Sequence, residues 1–247
     1  MKKTKNIIWI IALILVIILI GAIAFGYYKN ATNEVKNPVA TMEVEGFGTV
    51  KIELYPDKAP QTVSNFITLA NGGDKQGTGS GAATLADLKD DGSDTEYSIK
   101  GEFISNGVDN KLKFDEGVVG MARNDYTQQS SSLKEESYNS GSSQFFIMTK
   151  NNTSLNGYYT AFGKVIEGMD VVHNIEQVEV KASEDSKESS SSQQEVSTPV
   201  NPVKITSIRV ETNGVDYGLP ETLTPFNYST WLYKQYGIDP SSLSTEQ

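Results

Sequence analysis

From Met42 to Leu54 the chain keeps a period of two, and this pattern restricts the fold more than any other stretch does. Met42 and Val44 alternate with Glu43 and Glu45, and Val50, Ile52 and Leu54 alternate with Lys51, Glu53 and Tyr55. Gly46-Phe47-Gly48 lies between the two runs. Successive side chains of a strand point to opposite faces, so the segment reads as a hairpin with one buried face. The period then changes. Pro60 opens a segment in which Val63, Phe66, Ile67 and Ala70 fall at helical spacing, and Gly72-Gly73 closes it. Gly117 to Ala122, Gln144 to Thr149 and Ala161 to Ile166 read as further strands, and Met169, Val172 and Ile175 predict a second short helix. Val203 and Ile205 are out of phase with Ile208 and Val210, which predicts a last strand with a bulge near Thr206-Ser207. Many short strands with two short helices suggest a closed or nearly closed antiparallel sheet.

The remaining segments divide the chain. Residues 30–38 are a polar tether. Gly77 to Gly81 and the acidic stretch Asp87 to Glu96 are loop-like, and Asn124 to Ser143 is rich in Ser, Gln and Glu. Residues 181–200 are dominated by Ser, Glu, Lys and Gln and lack the apolar surface to build a core, so a disordered insertion is expected there. The extension over 213–247 carries Tyr217, Phe226, Tyr228, Trp231, Tyr233 and Tyr236. That is too aromatic for a solvated end, and predicts packing on the domain or on a partner.

Lys2, Lys3 and Lys5 precede an uncharged apolar run from Ile7 to Phe25. As a helix its residues span about 28 Å, close to the hydrocarbon thickness of a bilayer. Trp9 and Tyr27-Tyr28 suit the two interfaces, and the basic flank stays inside. Residues 1–29 are therefore expected to form a single-pass membrane anchor, with the rest of the chain on the extracytoplasmic side. The competing reading is a cleaved signal peptide, since Ala22-Ile23-Ala24 has the small-x-small form of a cleavage site. Both readings export the domain.

Composition removes several classes of function. There is no cysteine, which excludes disulfides, thiolate metal sites, a cysteine nucleophile and a lipid-modified cysteine anchor. The formal charge is −10; the 21 basic residues less Lys2, Lys3, Lys5 and Lys29 leave 17 against 31 acidic ones, or −14 for the exported part. Such a surface repels phosphate backbones, so nucleic acid is not an expected partner. Gly77 to Gly81 lacks the Gly-Lys-Ser/Thr ending of a phosphate loop. Counted from Asp87, a calcium loop would meet Lys89 at its third position and Ser98 at its twelfth, so no metal and no cofactor are expected. His173 is the only histidine, and no Ser-His-Asp system is built around it.

Three stretches, in order, resemble the cyclophilins. Val50-Lys-Ile-Glu-Leu-Tyr-Pro-Asp-Lys-Ala-Pro-Gln-Thr-Val-Ser-Asn-Phe66 is similar to the family's early strand and first helix. Gly117-Val-Val-Gly-Met-Ala-Arg123 and Gly141-Ser-Ser-Gln-Phe-Phe-Ile147 form the second. Phe162-Gly-Lys-Val-Ile-Glu-Gly-Met-Asp-Val-Val172 resembles the later strand and second helix. The resemblance implies a mainly β fold over 39–212 with two short helices, a cyclophilin-like antiparallel barrel. It also implies peptidyl-prolyl cis-trans isomerase activity on proline-containing segments of exported proteins. Family members carry a Phe-His-Arg strand and a Phe-Met-x-Gln strand between the first helix and the Gly-Gly-Asp turn. Here Leu69-Ala-Asn-Gly-Gly-Asp74 joins the two directly, and neither Arg nor His occurs between residues 58 and 122. About two strands, ~20 residues, are absent by ordinary strand and turn lengths, and the barrel is expected to be incomplete.

An X-Pro bond rotates over a barrier of about 20 kcal/mol set by amide resonance. Lowering it takes a dry pocket for the proline ring and donors that favour a twisted amide, a task for which a guanidinium is suited. The family's arginine lies in the absent strand, so no catalytic residue is assigned. What the resemblance carries over is substrate binding. Met121, Ala122 and Arg123 match the strand that contacts the peptide backbone, and Gln144 matches the pocket glutamine. Phe146 matches the aromatic floor under proline, Leu155 an apolar wall, and Tyr159 a position where other members have histidine. An impaired isomerase is the expectation. The alternatives are an inactive module that holds proline-containing segments at the membrane, and a deletion product that folds poorly.

Overall fold

The alternation between Met42 and Leu54 becomes a hairpin in the computed structural model, which describes residues 16, 18–21, 36–72, 83–89, 92–182 and 196–239. Strands β1 (Val39–Val44) and β2 (Gly48–Leu54) pair antiparallel and bury alternate residues, Ala40, Met42 and Val44 facing the same core as Val50, Ile52 and Leu54. Gly46 and Gly48 turn the chain with φ of 77° and 122°, values that favour glycine. Helix α1 (Pro60–Asn71) follows, with Pro60 in its first turn. Its buried Val63, Phe66, Ile67 and Ala70 recur on one face and cover the sheet.

A short helix, α2 (Leu85–Lys89), stands where a loop was expected. Thr84 and Asp87 explain it: the Asp87 carboxylate accepts hydrogen bonds from the Thr84 backbone N–H at 2.7 Å and hydroxyl at 2.9 Å, a capping-box contact. Strand β3 (Ser98–Ile99) leads by a loop to β4 (Val118–Met121), and α3 (Lys134–Tyr138) gives the Ser/Gln/Glu-rich stretch a buried side through Leu133, Ser137 and Tyr138. Then come β5 (Phe145–Ile147), β6 (Ala161–Glu167) and α4 (Met169–Glu176), which starts at Gly168 with φ +88°. A Cβ on Gly168 would lie 2.4 Å from the Thr49 carbonyl oxygen, so only glycine lets α4 begin this close to β2. Strands β7 (Val180–Ala182) and β8 (Val196–Pro199) pair with each other. The flanks of the expected 181–200 insertion are thus strands rather than coil, while 183–195 lie outside the described residues. Strand β9 (Ile205–Glu211), β10 (Thr222–Leu223) and α5 (Tyr228–Gln235) complete the order.

The main sheet has six strands in the order β5-β4-β6-β2-β1-β9, every pair antiparallel. It is open, with β5 and β9 at its edges. The expected bulge is present: Glu43 faces Ser207 and Val44 faces Ile205, so Thr206 is the extra residue. The β9 edge has a stand-in for a neighbouring strand. The Asn71 side chain donates from Nδ2 to the Val210 carbonyl and accepts from the Val210 N–H, both at 2.9 Å. A bidentate amide thereby satisfies two ladder groups of an edge that would otherwise be open. Between α1 and β3 no strand occurs among the described residues; 73–82 and 90–91 lie outside them.

Residues 1–36 and 37–247 are separate units. Of the expected membrane-crossing segment, only residues 16 and 18–21 are described, and they are helical. Among the described residues no helix is long and apolar enough to cross a membrane. The extension after β9 runs along the domain: Tyr217 packs on the core, Ser64 Oγ donates to the Gly218 carbonyl at 2.8 Å, and β10 pairs with β3.

Helix α4 is tied to the rest through two titratable side chains, His173 and Glu176. His173 Nε2 lies 2.8 Å from Glu116 Oε1 and Nδ1 lies 3.4 Å from Glu176 Oε2, while Thr149 Oγ1 donates to Glu176 Oε1 at 2.7 Å. Only an imidazolium donates from both nitrogens. The bond to Glu116, then that to Glu176, raise the His173 pKa above its ordinary value. Glu176 is held low, first by Thr149 and next by His173, with Lys150 a minor neighbour. A histidine pKa raised on folding gives stability that is complete below the ordinary value and is lost as pH rises through the folded value. Thermal unfolding followed from pH 6 upward should therefore show a small loss that disappears in His173→Gln.

Candidate functional site

Strand β4 has two occupied faces. Val119 and Met121 turn into the main core, whereas Val118 faces a second apolar cluster with Phe114 and Ala161. Phe146, Leu155 and Tyr159, all half-buried, pack on this second cluster. The Phe146 ring stacks on Phe114 at 5.7 Å with 22° between the planes and meets Tyr159 edge-on at 6.0 Å. Gly120 makes this possible: a Cβ there would lie 2.4 Å from Phe146 and 2.6 Å from Phe114. An apolar floor is thus laid on the strand surface. Phe114 was not singled out in the sequence; its only local signal is the alternation of Leu112 and Phe114 with Lys111 and Lys113.

The other expected residues sit at the end of the same strand. Met121, Ala122 and Arg123 line a water-sized cleft with Ile99, Gly141, Tyr138 and Thr160. The Ala122 N–H donates to the Gln144 carbonyl at 2.9 Å, and the Gln144 side chain is exposed. The floor and this cleft meet at Arg123. Its guanidinium lies 4.4 Å from the Tyr159 ring centre and 5.2 Å from that of Tyr138. Nε donates to the Tyr158 carbonyl and Nη1 to the Asn124 carbonyl, each at 3.1 Å. A guanidinium has five N–H groups, so donors remain beyond these two.

Buried polar residues hold the frame from behind. Glu102, 4% exposed, accepts from the Gln61 N–H at 2.9 Å, the Thr62 N–H at 2.8 Å and the Thr62 hydroxyl at 2.7 Å, and so caps the start of α1. Asn110 Nδ2 donates to the Glu102 carbonyl at 3.0 Å and the Ala161 carbonyl at 2.8 Å. The Tyr97 hydroxyl donates to Asn65 Oδ1 at 2.6 Å, and Asn65 Nδ2 donates to the Ser142 carbonyl, two residues before Gln144. Burial, and then Asp87, push the Tyr97 phenol well above its usual range, so it stays a donor. None of these links has a local sequence signal. Among the described residues no group of three or more His, Cys, Asp or Glu is placed to hold a metal ion.

Aromatic floor, exposed amide and backbone groups on neighbouring strands suit an extended peptide with one apolar ring to bury. The cyclophilin type peptidyl-prolyl cis-trans isomerase model matches residues 39–210, more than half of the chain, and the chain belongs to that family of isomerases. Members of the family bind proline-containing peptide substrates. A peptidyl-prolyl cis-trans isomerase of Acinetobacter baylyi is 29% identical over 199 residues, covering 77% of this chain and 94% of that protein. Peptidyl-prolyl cis-trans isomerase-like 2 of Rhizopus delemar is 29% identical over 157 residues, 56% of this chain; the chain spans only 25% of that longer protein. A crystal structure of a cyclophilin type isomerase of Cryptosporidium parvum is similar with a TM-score of 0.46 at 21% identity, over 71% of this chain and 98% of that one.

Proposed function

We propose that this chain is a prolyl isomerase tethered to the cell membrane by residues 1–29, which helps exported proteins to fold and turns over slowly because the arginine-bearing strand is absent. X-Pro isomerisation limits folding over tens to hundreds of seconds, so a tethered catalyst has a use outside the membrane. The apolar run from Ile7 to Phe25 behind Lys2, Lys3 and Lys5 supports the tether and the extracytoplasmic side. The observation that carries the catalytic part is the Phe146 floor, seated on Phe114 and bounded by Leu155 and Tyr159, next to the exposed Gln144.

A second reading, a module that binds proline-containing segments without turning them over, is favoured by Arg123. Two of its donors are spent on backbone carbonyls. Cis-to-trans relaxation of a proline-containing peptide, measured with the full chain in mild detergent, separates the two. Acceleration above background that falls at least tenfold in Phe146→Ala is expected. Binding with no acceleration selects the module, and neither binding nor acceleration removes both readings.

A further inference from the structure

The aromatic extension reaches the site through an unbroken series of contacts, which the exposed remainder of α5 does not share. Phe226 meets the Tyr126 ring edge-on at 4.9 Å and packs against Trp231 at 6.5 Å. The Tyr126 hydroxyl accepts from Asn124 Nδ2 at 2.9 Å, and the Asn124 carbonyl is the acceptor for Arg123 Nη1. Arg123 in turn lies on Tyr159, the ring that meets Phe146 edge-on. The extension is itself pinned upstream, by β10 on β3 and by the Glu221 N–H donating to Gln61 Oε1 at 2.7 Å. Phe226 is therefore held from both sides, by β10 before it and Trp231 after it.

We propose that Phe226 and Tyr126 are positioning residues, through which the C-terminal extension holds the Arg123 guanidinium beside the Phe146 floor so that its remaining N–H donors face a bound peptide. A long side chain on a loop otherwise samples many rotamers, and ordering it in advance removes an entropic cost from binding. Cation–π contact with two rings restrains the guanidinium sideways. The Asn124 carbonyl sets its height above the strand, and Phe226 steadies the turn that carries this carbonyl. This inference rests on the prolyl-peptide reading of the site.

The test is a cycle of variants in the full chain, read as kcat/KM for a proline-containing peptide together with the melting temperature. Arg123→Ala and Phe226→Ala are each expected to lower kcat/KM three- to tenfold, and the double variant by no more than either alone. Phe226→Tyr, which keeps the ring, is expected to restore the rate. Tyr233→Ala, on the exposed side of α5, serves as the control with unchanged rate. Tyr126→Phe removes only the hydroxyl at the surface and is expected to lower the rate about twofold, which keeps the test open should Phe226→Ala melt early. The proposal is overturned if Phe226→Ala stays within twofold of the parent while Arg123→Ala does not, or if the two losses multiply. An active chain with a silent Arg123→Ala overturns it while leaving the prolyl reading intact; a chain with neither binding nor turnover removes both.

Discussion

Glu102→Ala is expected to destabilise the domain by about 3–4 kcal/mol, from hydrogen bonding alone. The carboxylate accepts from the Gln61 and Thr62 N–H groups and from the Thr62 hydroxyl, and both Glu102 and Thr62 are buried. Alanine leaves three donors at a helix start without their acceptor. A buried donor deprived of its partner costs about 1–3 kcal/mol, and bonds to charged acceptors lie at the upper end. Part of that returns, because Gln61 is only partly buried and water reaches it. Losing a negative charge at the N-terminus of α1 adds a fraction of a kcal/mol. Urea unfolding should show a lower midpoint with an unchanged slope. Glu102→Gln, which keeps one acceptor oxygen but sets an amide N–H against the donors, is expected to recover less than half of the loss. A loss under about 1 kcal/mol for alanine would contradict the capping role.

The second large effect concerns the rate. Against a family member that has the Phe-His-Arg strand, the full chain is expected to isomerise a proline-containing peptide about 100 to 1,000 times more slowly. One preorganised donor at the reacting amide contributes about 3–4 kcal/mol to the transition state, which corresponds to that factor. Arg123 and Arg209 are the only arginines in the chain. Arg209 Nη1 donates to the Ala70 and Ile208 carbonyls on the β9 edge, at 2.7 and 2.8 Å. Arg123 stands beside the floor but directs Nε and Nη1 to backbone carbonyls, so two of its donors are already engaged. A rate within tenfold of the intact member would mean that Arg123, or another donor, substitutes fully.

Several elements were legible because their cause is local. The hairpin of β1 and β2 follows from a strict alternation, α1 from apolar spacing behind Pro60, and the bulge at Thr206 from a change of phase within a few residues. Phe146, Leu155 and Tyr159, to which the resemblance points, share one cluster, and Arg123 joins it through Tyr159. Thr84-Leu-Ala-Asp87 has the spacing of a capping box, and it folds the start of an acidic stretch into α2 where loop had been expected.

The pattern of strands and helices, and the residue types offered to the cleft, were written into the amino-acid order itself, because periodicity of two or 3.6 acts between neighbours. Tertiary structure alone decided how those residues are used. It set Phe114 beneath Phe146, closed the start of α1 with a carboxylate 40 residues away, and laid the Asn71 amide on the β9 edge 139 residues on. It also placed Arg123 between two tyrosine rings, with an extension from beyond residue 212 bearing on Tyr126. Such contacts join segments that carry no mark of one another, since each forms only after the chain between has been ordered and its loop-closure entropy overcome.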